Sequence, residues 1–586
     1  MPTDRIPLVG SFNQRGLVGN ADLVANLDQR FLNCSFDVVQ NPVTEKTALY
    51  VQRRPGWSVD SLVAAGSAST GMLMPQSFNA TISAFGDTNS TIYHGSISVG
   101  VITGRALYFT ETIISNVTYV MIKSSDGTGW YYANGSKDDL TYIGDTHIGT
   151  AVIDSLDDTT GIYIGQAWAG TGVAAGARVL TVDSATQITL NANSSADGTD
   201  ITFTKTPIAK ILDADFITAG TYVSRFAEMD GFLFYTTSTA ATIWNSDLNS
   251  VTSYSATGFK SPNMSPDPPV AIERSGNAVV VLGAASKEVF YNAGLATGSP
   301  LQRSAQYFQR IGTLDQRSVT TIEDNIYFVS TPHEGDLGVF RITGLQAERV
   351  STPAVDRIIG TAAVNGAIYA TSFRLGGHPY AAFIVSTASD GPASDLLLES
   401  GDMILQEDDS LILLEDTPGQ VASFVRMLVY NALLKVWSEW DCSQATFVDG
   451  AAASTANQLL ATSRFQTGGY VYTINPAANG DVWQDAGSTY TTEIRTSRID
   501  HGTAKRKFVQ RIRLVSDQQS AGTVSLYFSD DNYLTWQGPF TMDLTQPRPM
   551  VGMLGSYEGG RAYKLVHAYN GPFRAEAMEI DYTVEA

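Results

Sequence analysis

Acidic residues recur at eight-residue intervals in one segment of the chain, residues 395–418. The carboxylates are Glu399, Asp402, Glu407, Asp408, Asp409, Glu415 and Asp416. Apolar stretches separate them, so the pattern predicts a protruding hairpin repeat whose acidic turns are solvated. A second interpretation is that several copies of the chain gather these turns around an axis, where a negative lining would repel a passing polyanion. Calcium binding is a third interpretation, although the carboxylates lack the loop spacing of an EF-hand.

The most basic part of the chain begins at residue 495. Its candidate subunit or phosphate contacts are Arg495, Arg498, Lys505, Arg506, Lys507 and Arg511. Cations spaced in this way could follow a phosphate backbone. The whole chain, however, has 37 Lys and Arg against 58 Asp and Glu, a net charge of −21. This balance argues against a nucleic-acid grip, and it favours solvated strand ends or pairing with acidic patches on an adjacent subunit.

Motifs for catalysis are missing from the sequence. There is no nucleophile elbow, P-loop or HExxH motif. The six histidines lie far apart, which does not suggest a metal site. Residues 529–536 resemble the Asp-box hairpin of sialidase propellers, but Tyr533 stands where that motif has glycine, and the box is a structural turn even there. We therefore predict no enzyme, no catalytic or metal-binding residue and no cofactor.

Two cysteines, Cys34 and Cys442, show no disulfide or thiolate-metal pattern, so we expect reduced, buried thiols. The first residues lead into no long apolar segment. We accordingly expect no signal peptide and no membrane anchor, and synthesis in a cytoplasm.

A repeat of about one β-hairpin plus one strand organises the middle of the chain. Four turn dipeptides each open onto an apolar run: Asp230-Gly231, Gly276-Asn277, Asp324-Asn325 and Asn365-Gly366. Such dipeptides favour tight hairpins. Their spacing, roughly 40 to 50 residues with several strands in each repeat, is typical of β-propeller blades.

The predicted fold is all-β, with a β-propeller core, an inserted small β module and a C-terminal β-sandwich-like domain. Residues 1–66 would be an arm packing on the propeller, and residues 67–485 a propeller of about six blades. The propeller would carry the inserted module at about 140–205, rich in Gly, Ala and Thr, and the acidic hairpin repeat at 395–418. Residues 486–586 would form the C-terminal domain.

Two groups of residues resemble one known family. The first is Leu32-Asn33-Cys34 followed by Arg54-Pro55-Gly56 in the arm. The second is the succession of residues 287–294, 309–312, 338–342 and 350–356. In this order they resemble the packaged-DNA stabilisation, or tail hub and nozzle, proteins of short-tailed bacteriophages.

The resemblance implies a structural virion protein of the phage tail. It would form a ring, expected to be a hexamer, that helps to retain packaged DNA and forms the channel for its ejection. Its implied partners are further copies of itself, the adaptor protein of the head-to-tail connector, and a tail fibre, tailspike or needle protein. Double-stranded DNA would be present only in transit.

Two alternatives remain open from the sequence. A glycan-binding or glycan-cleaving propeller, a receptor-recognition component, would need Arg, Tyr and carboxylate side chains clustered at the axial mouth. A receptor-binding tail fibre would be trimeric and fibrous, which the globular repeat pattern does not favour.

Overall fold

The structure is a computed structural model. It describes residues 3–9, 30–40, 47–60, 69–73, 85–88, 90–95, 97–136, 141–216, 224–237, 241–295, 297–332, 337–365, 368–386, 425–441, 450–453, 459–462, 471–474, 483–485 and 487–585. The predicted fold class is confirmed: these residues are nearly all in strands and the turns between them.

Seven antiparallel blades can be traced through the described residues. Blades 1 to 3 contain Ser69–Leu73, Phe85–Thr88, Thr91–His94 and Ile97–Val101; Ala106–Ile114, Val117–Ser124, Gly129–Ala133 and Gly198–Lys210; and Ala227–Met229, Phe232–Thr237, Thr242–Ser246 and Tyr254–Lys260. Blades 4 and 5 contain Pro269–Ser275, Ala278–Gly283, Lys287–Asn292 and Leu301–Arg303; and Ile311–Thr313, Val319–Ile322, Asn325–Pro332, Gly338–Thr343 and Gln346–Arg349. Blades 6 and 7 contain Ile368–Leu375, His378–Ser386, Val425–Asn431 and Val436–Asp441; and Gly450–Ala453, Leu459–Thr462, Val471–Ile474 and Ser58–Asp60.

The blades close into a ring through their first strands. The first strand of blade 7, Gly450–Ala453, contacts the first strands of both blade 1 and blade 6. Blade 7 is completed by Ser58–Asp60, which pairs antiparallel with Val471–Ile474. The chain before blade 1 therefore supplies the last strand of the ring. We predicted about six blades and the described residues form seven, because the outer strand of blade 2 follows the inserted module and lies outside the repeat spacing.

The predicted hairpin turns can be compared with the observed ones. Asp230-Gly231 is confirmed, with Met229 paired to Phe232 and both turn residues at positive φ (54° and 81°). Gly276-Asn277 is confirmed in the same way by the pairing of Ser275 with Ala278. The third turn lies one residue earlier than predicted, because Ile322 pairs with Asn325 and Glu323 takes the positive φ.

The fourth predicted hairpin is wrong. The residues before it form an α-helix, Pro353–Asn365, and not a strand. Proline suits the first helical turn, and Asp356 in that turn complements the helix dipole. Val355 and Ile359, four residues apart, are buried in the core between blades 5 and 6. The apolar residues before Asn365 thus have helical and not alternating spacing. Short 3₁₀ turns occur at Ala305–Tyr307 and Gln316–Ser318.

The inserted module extends the sheet of blade 2 outwards. Beyond Gly198–Lys210 the order continues through Thr141–Thr146, Val152–Asp154, Gln187–Leu190 and Val179–Ser184, with Gln166–Ala169 paired to Gly198–Lys210. The module has a core of its own around Trp168, Ile188 and Phe203. Burying each such side chain contributes about 1.5–3 kcal/mol.

The C-terminal domain is a sandwich of two sheets that share one apolar core. One sheet contains Thr3–Pro7, Cys34–Gln40, Thr47–Arg53, Lys507–Ser516, Met550–Gly552, Ser556–Tyr557 and Arg574–Val584. The other continues the sheet of blade 6 through Arg30–Leu32, Thr492–Arg495, Ala562–His567, Thr523–Ser529 and Gln537–Asp543. A two-stranded ribbon, Gln484–Asp485 with Ser488–Thr489, precedes it.

The arm, residues 1–66, contributes strands to both the propeller and the C-terminal sandwich. Its strands Thr3–Pro7 and Thr47–Arg53 pair with Arg574–Val584 of the C-terminal sandwich. Its short strand Arg30–Leu32 lies between the last strand of blade 6 and Thr492–Arg495. The arm therefore joins the two domains as shared strands, since its strand edges find unpaired partners in both sheets.

Candidate functional site

Two arm residues that carried the family resemblance, Asn33 and Arg54, meet at one buried point. We call this point the arginine junction and define it by Asn33, Arg53, Arg54, Asp485 and Tyr490. Arg53 and Arg54 are about 1% and 0% exposed. Both guanidinium carbons lie 4.1 Å from the centroid of the Tyr490 ring. Burying two adjacent cations costs free energy that hydrogen bonds to their N–H groups must offset. The hydrogen-bond partners of Arg53 and Arg54 therefore show what the junction does.

Arg54 forms a two-pronged ion pair with Asp485. Its two terminal nitrogens donate to the two carboxylate oxygens at 2.9 and 2.6 Å, and both side chains are fully buried. The Arg54 Nε donates to the Asn33 side chain at 3.0 Å, and the Trp57 backbone N–H donates to Asp485 at 3.0 Å. Arg54 and Trp57 flank a turn at Gly56, where an added Cβ would lie 2.0 Å from the Gln484 carbonyl oxygen. Glycine is therefore required at that position.

Arg53 binds the C-terminal domain. It donates to His567 Nδ1 at 3.0 Å and to the Tyr569 carbonyl at 2.8 Å. It also donates to the carbonyls of Trp483 and Tyr490. Burial, together with the neighbouring Arg53 cation, lowers the pKa of His567 to about 4. The imidazole is therefore neutral at neutral pH and can accept the hydrogen bond. The junction therefore fastens the arm to the C-terminal domain through hydrogen bonds of Arg53 and to Asp485 through those of Arg54.

Cys34 lies next to the junction as a buried free thiol, as expected. Burial raises the pKa of this thiol well above its usual value. The Trp440 indole N–H donates to the Cys34 carbonyl at 2.8 Å. Cys442 lies outside the described residues.

A second polar group occupies the centre of the propeller, and we call it the axial cluster. Its members lie on or beside the first strands of blades 2 to 6: Tyr108, Arg225, Glu273, Asp315, Arg317 and Tyr369. The Tyr108 hydroxyl of blade 2 donates to Asp315 of blade 5 at 3.2 Å. Blades 2 and 5 are not neighbours in the ring, so this hydrogen bond crosses the propeller axis.

The cations of the axial cluster are held by its own carboxylates. Arg317 donates to Asp315 at 2.7 Å and to the Tyr369 hydroxyl at 3.1 Å. Arg225 lies 3.4 Å from Glu273, and burial raises the pKa of that carboxyl. This cluster could not be predicted from sequence, because its members come from five blades. It matches the residue types that a glycan-binding propeller needs, but each of its two arginines is already paired with a carboxylate of the cluster.

Most of the predicted basic contacts are occupied within the C-terminal domain. Arg511 pairs with Asp581 at 2.7 Å, and the buried Lys507 ammonium donates to the Gly559 carbonyl at 2.7 Å. Arg498 donates to the Gly560 carbonyl at 2.8 Å, and Arg506 lies 3.5 Å from Glu558. Arg495 pairs with Glu493. Lys505 is exposed. Five of these six residues thus have partners within the chain, and their role as subunit or phosphate contacts stays a prediction.

The acidic turns predicted to line a channel lie outside the described residues: Glu399, Asp402, Glu407, Asp408, Asp409, Glu415 and Asp416. The turn that resembles an Asp box is described. Asp531 accepts from the Thr535 side chain and backbone, and these bonds lower its pKa to about 2. Tyr533 takes φ of 68° at the position where the motif has glycine. Its hydroxyl donates to the Thr496 carbonyl at 3.1 Å, which holds the turn in place.

The described part of the chain contains neither a cluster of metal-ligating side chains nor a membrane-spanning helix. There, no three His, Cys, Asp or Glu side chains gather closely enough to hold a metal ion. The helix Pro353–Asn365 is too short to cross a membrane, and no other described helix could do so.

Residues 171–370 match one family model. Its description is "Bacteriophage P22 Gp10, beta-propeller". The matched segment runs from the inserted module through blades 3, 4 and 5 to the first strand of blade 6. This part of the chain is therefore similar to a phage β-propeller family. The match supports the predicted resemblance to proteins of short-tailed phages, and it suggests a structural protein of a phage. No curated protein matches the chain significantly.

Solved structures give distant likenesses only. The phage phi92 endosialidase shares 9% identity, with 77% of this chain and 74% of that chain covered and a TM-score of 0.28. The RRP9 WD40 repeats share 10%, covering 72% and 99%, with a TM-score of 0.33. An exo-β-1,3-galactanase from Phanerochaete chrysosporium shares 8%, covering 90% and 100%, with a TM-score of 0.24. At such low scores these likenesses say nothing of function.

Proposed function

We propose that this chain is a structural, non-enzymatic component of a short phage tail. Several copies form a ring that helps to retain the packaged DNA and surrounds the channel for its ejection. The observation that carries the proposal is the match of residues 171–370 to a phage β-propeller family. The net charge of −21 supports it, because a negative surface lets DNA pass without holding it.

The axial cluster supports a channel made by several chains. The Tyr108–Asp315 hydrogen bond joins blades 2 and 5 across the centre of one propeller, and the Arg317–Tyr369 hydrogen bond joins the neighbouring blades 5 and 6 beside it. Side chains therefore bridge the axis of a single chain at this level. The passage for a DNA duplex would therefore lie between copies, around the axis of the ring. In this proposal the acidic turns at 395–418 face that passage.

A glycan-binding propeller is the second candidate function. The observation that favours it is the axial cluster, which combines Arg225 and Arg317 with Tyr108 and Tyr369. Its weakness is that Asp315 and Glu273 already bind both guanidinium groups. A saccharide would first have to displace these carboxylates. The candidate requires a monomer that binds saccharide, and a saccharide screen on the purified chain would detect it.

Phage particles assembled without this protein are expected to fill with DNA and then lose it, because the exit below the head is left open. DNA content is measured by density sedimentation of the particles, and supply of the wild-type gene in trans should restore both DNA retention and infectivity. Mass spectrometry of complete virions should detect the chain. Full retention of DNA in its absence, or virions without the chain, would contradict the proposal.

A further inference from the structure

Three cations form an aligned row on one face of the C-terminal extension of blade 6. Arg30 lies directly opposite Arg495 on the neighbouring strand, and Arg495 lies directly opposite Lys564 on the next. We call these residues the basic row. Like charges placed opposite one another on adjacent strands destabilise a sheet. Such an arrangement in a chain of net charge −21 calls for an anionic partner.

The partners inside the chain leave the row incompletely neutralised. Arg30 shares the Glu439 carboxylate with Arg426, at 2.8 and 3.0 Å. Arg495 pairs with Glu493. Among the described residues no carboxylate lies within ion-pair distance of the Lys564 ammonium, which instead lies 4.6 Å from the ring centroids of both Tyr527 and Trp536. Burial lowers the pKa of Lys564, the Glu493 charge opposes this shift, and the Arg495 charge adds to it. The end of the row is therefore a cation that has no direct ion pair and shares the nearby Glu493 carboxylate with Arg495.

The two aromatic rings argue against a saccharide as the partner. Tyr527 and Trp536 could stack on a sugar only through their ring faces, and Lys564 lies against one face of each. The rings hold the ammonium through cation–π contacts. The surface therefore offers a positive charge and no free aromatic face for a sugar ring. A positive charge is complementary to carboxylates on a partner.

The inserted module is the complementary surface in the described structure. Residues 141–205 contain seven aspartates against two cations, a net charge of −5. Both cations turn inwards: Arg178 donates to the Gly165 carbonyl at 2.8 Å, and Lys205 donates to the Gly161 carbonyl at 2.6 Å. Asp157 and Asp183 are exposed, the latter on the outermost strand, Val179–Ser184. The aspartates therefore give the outer surface of the module a negative charge that no exposed lysine or arginine of the module offsets.

The two surfaces cannot meet within one chain. The module extends outwards from blade 2, and the basic row extends outwards from blade 6. Blades 3, 4 and 5 separate them on one side of the ring, and blades 7 and 1 on the other. They therefore project from nearly opposite sides of the propeller. A head-to-tail contact between two different surfaces of identical chains is the kind that closes into rings.

We infer that the subunit contact joins the basic row of one copy to the acidic inserted module of the next. This inference rests on the proposed ring. Complementary charges set the order and direction of the copies. The contact assigns a role to the inserted module and to Lys564, which the basic sequence pattern from residue 495 did not include. Raised salt should weaken the contact by screening it.

The test uses charge reversal in the full-length chain, with assembly followed by light scattering. Lys564→Glu should need about tenfold more protein to assemble than the wild type. The matched control is Arg548→Glu, a reversal at an exposed arginine of the same domain that belongs neither to the row nor to the candidate subunit contacts, and it should assemble as the wild type does. Thermal unfolding of each variant confirms that it is folded.

A second variant makes the test reciprocal. Asp157→Lys with Asp183→Lys should also assemble poorly alone, because its module then repels the basic row. An equimolar mixture with Lys564→Glu should recover assembly, since each altered surface then meets an opposite charge. Normal assembly of Lys564→Glu, or no recovery in the mixture, would overturn the inference while leaving the proposed function standing. A wild-type chain that never assembles would overturn the inference and the ring together.

Discussion

Replacing Asp485 by asparagine is expected to lower the free energy of unfolding by about 3–5 kcal/mol. The substitution keeps the shape of the side chain but leaves the Arg54 guanidinium buried without a counter-charge. Arg54 is 0% exposed and has two of its hydrogen bonds to Asp485. Water cannot reach it to compensate. The loss should appear as a shift of the urea midpoint followed by tryptophan fluorescence.

The matched control for Asp485→Asn is Glu558→Gln. Glu558 forms a carboxylate–arginine pair with Arg506 at 3.5 Å, but its side chain is 69% exposed. Its loss should cost no more than about 1 kcal/mol. Because the arginine junction joins the arm to both domains, Asp485→Asn should also speed proteolysis of the arm. Equally small losses in the free energy of unfolding for the two substitutions would show that the buried Arg54–Asp485 pair does not hold the arm to the two domains.

Replacing Lys123 by methionine is expected to stabilise the protein by about 2–4 kcal/mol at pH 7 and below. Lys123 is 0% exposed between blades 2 and 3. Its ammonium lies 4.5, 5.4 and 4.8 Å from the ring centroids of Phe216, Phe226 and Tyr235. Burial lowers its pKa to about 7, so the cation–π contacts do not make up for lost hydration. Methionine fills a similar volume and suits an aromatic pocket.

The stabilisation by Lys123→Met should depend on pH in a defined direction. Below about pH 7 lysine is charged in both states, and folding carries the whole cost of burying it. Between about pH 7 and the usual lysine value near 10.4, only the unfolded chain holds the proton, so the wild type gains stability as pH rises. The advantage of the variant should therefore shrink over this range.

The control for Lys123→Met is Lys505→Met at an exposed position. It should change the melting temperature little and show no such pH dependence. The measurement is the difference in melting temperature between each variant and the wild type from pH 6 to pH 10. A destabilised Lys123→Met protein, or a difference that does not vary with pH, would show that the charge is not the cost.

Local sequence signals predicted the repeat well. Turn dipeptides such as Asp230-Gly231 act through backbone conformation at the turn itself, so their hairpins follow from a few residues. The same signal failed at Asn365, since helical spacing of Val355 and Ile359 outweighs one turn dipeptide. Blade 2 was not recognised as a separate blade, because its outer strand Gly198–Lys210 lies beyond the inserted module and falls outside the repeat spacing.

The chemistry of the site could not be predicted in the same way. Arg53 and Arg54 are neighbours in sequence, but their partners His567 and Asp485 lie hundreds of residues later. The basic sequence cluster was read as one surface, whereas alternation along strands sends Lys507 inwards. Lys564 was missed because only strand register brings it beside Arg495.

Electron microscopy of the purified chain, alone and mixed with extracts containing other virion proteins, tests the central claim most directly. The proposed function predicts rings with an axial hole, six-fold if the family resemblance extends to symmetry, formed alone or on mixing. Density for each propeller should be closed at its own axis, with the open passage between copies. A chain that remains monomeric under every condition and never joins a particle would contradict the account.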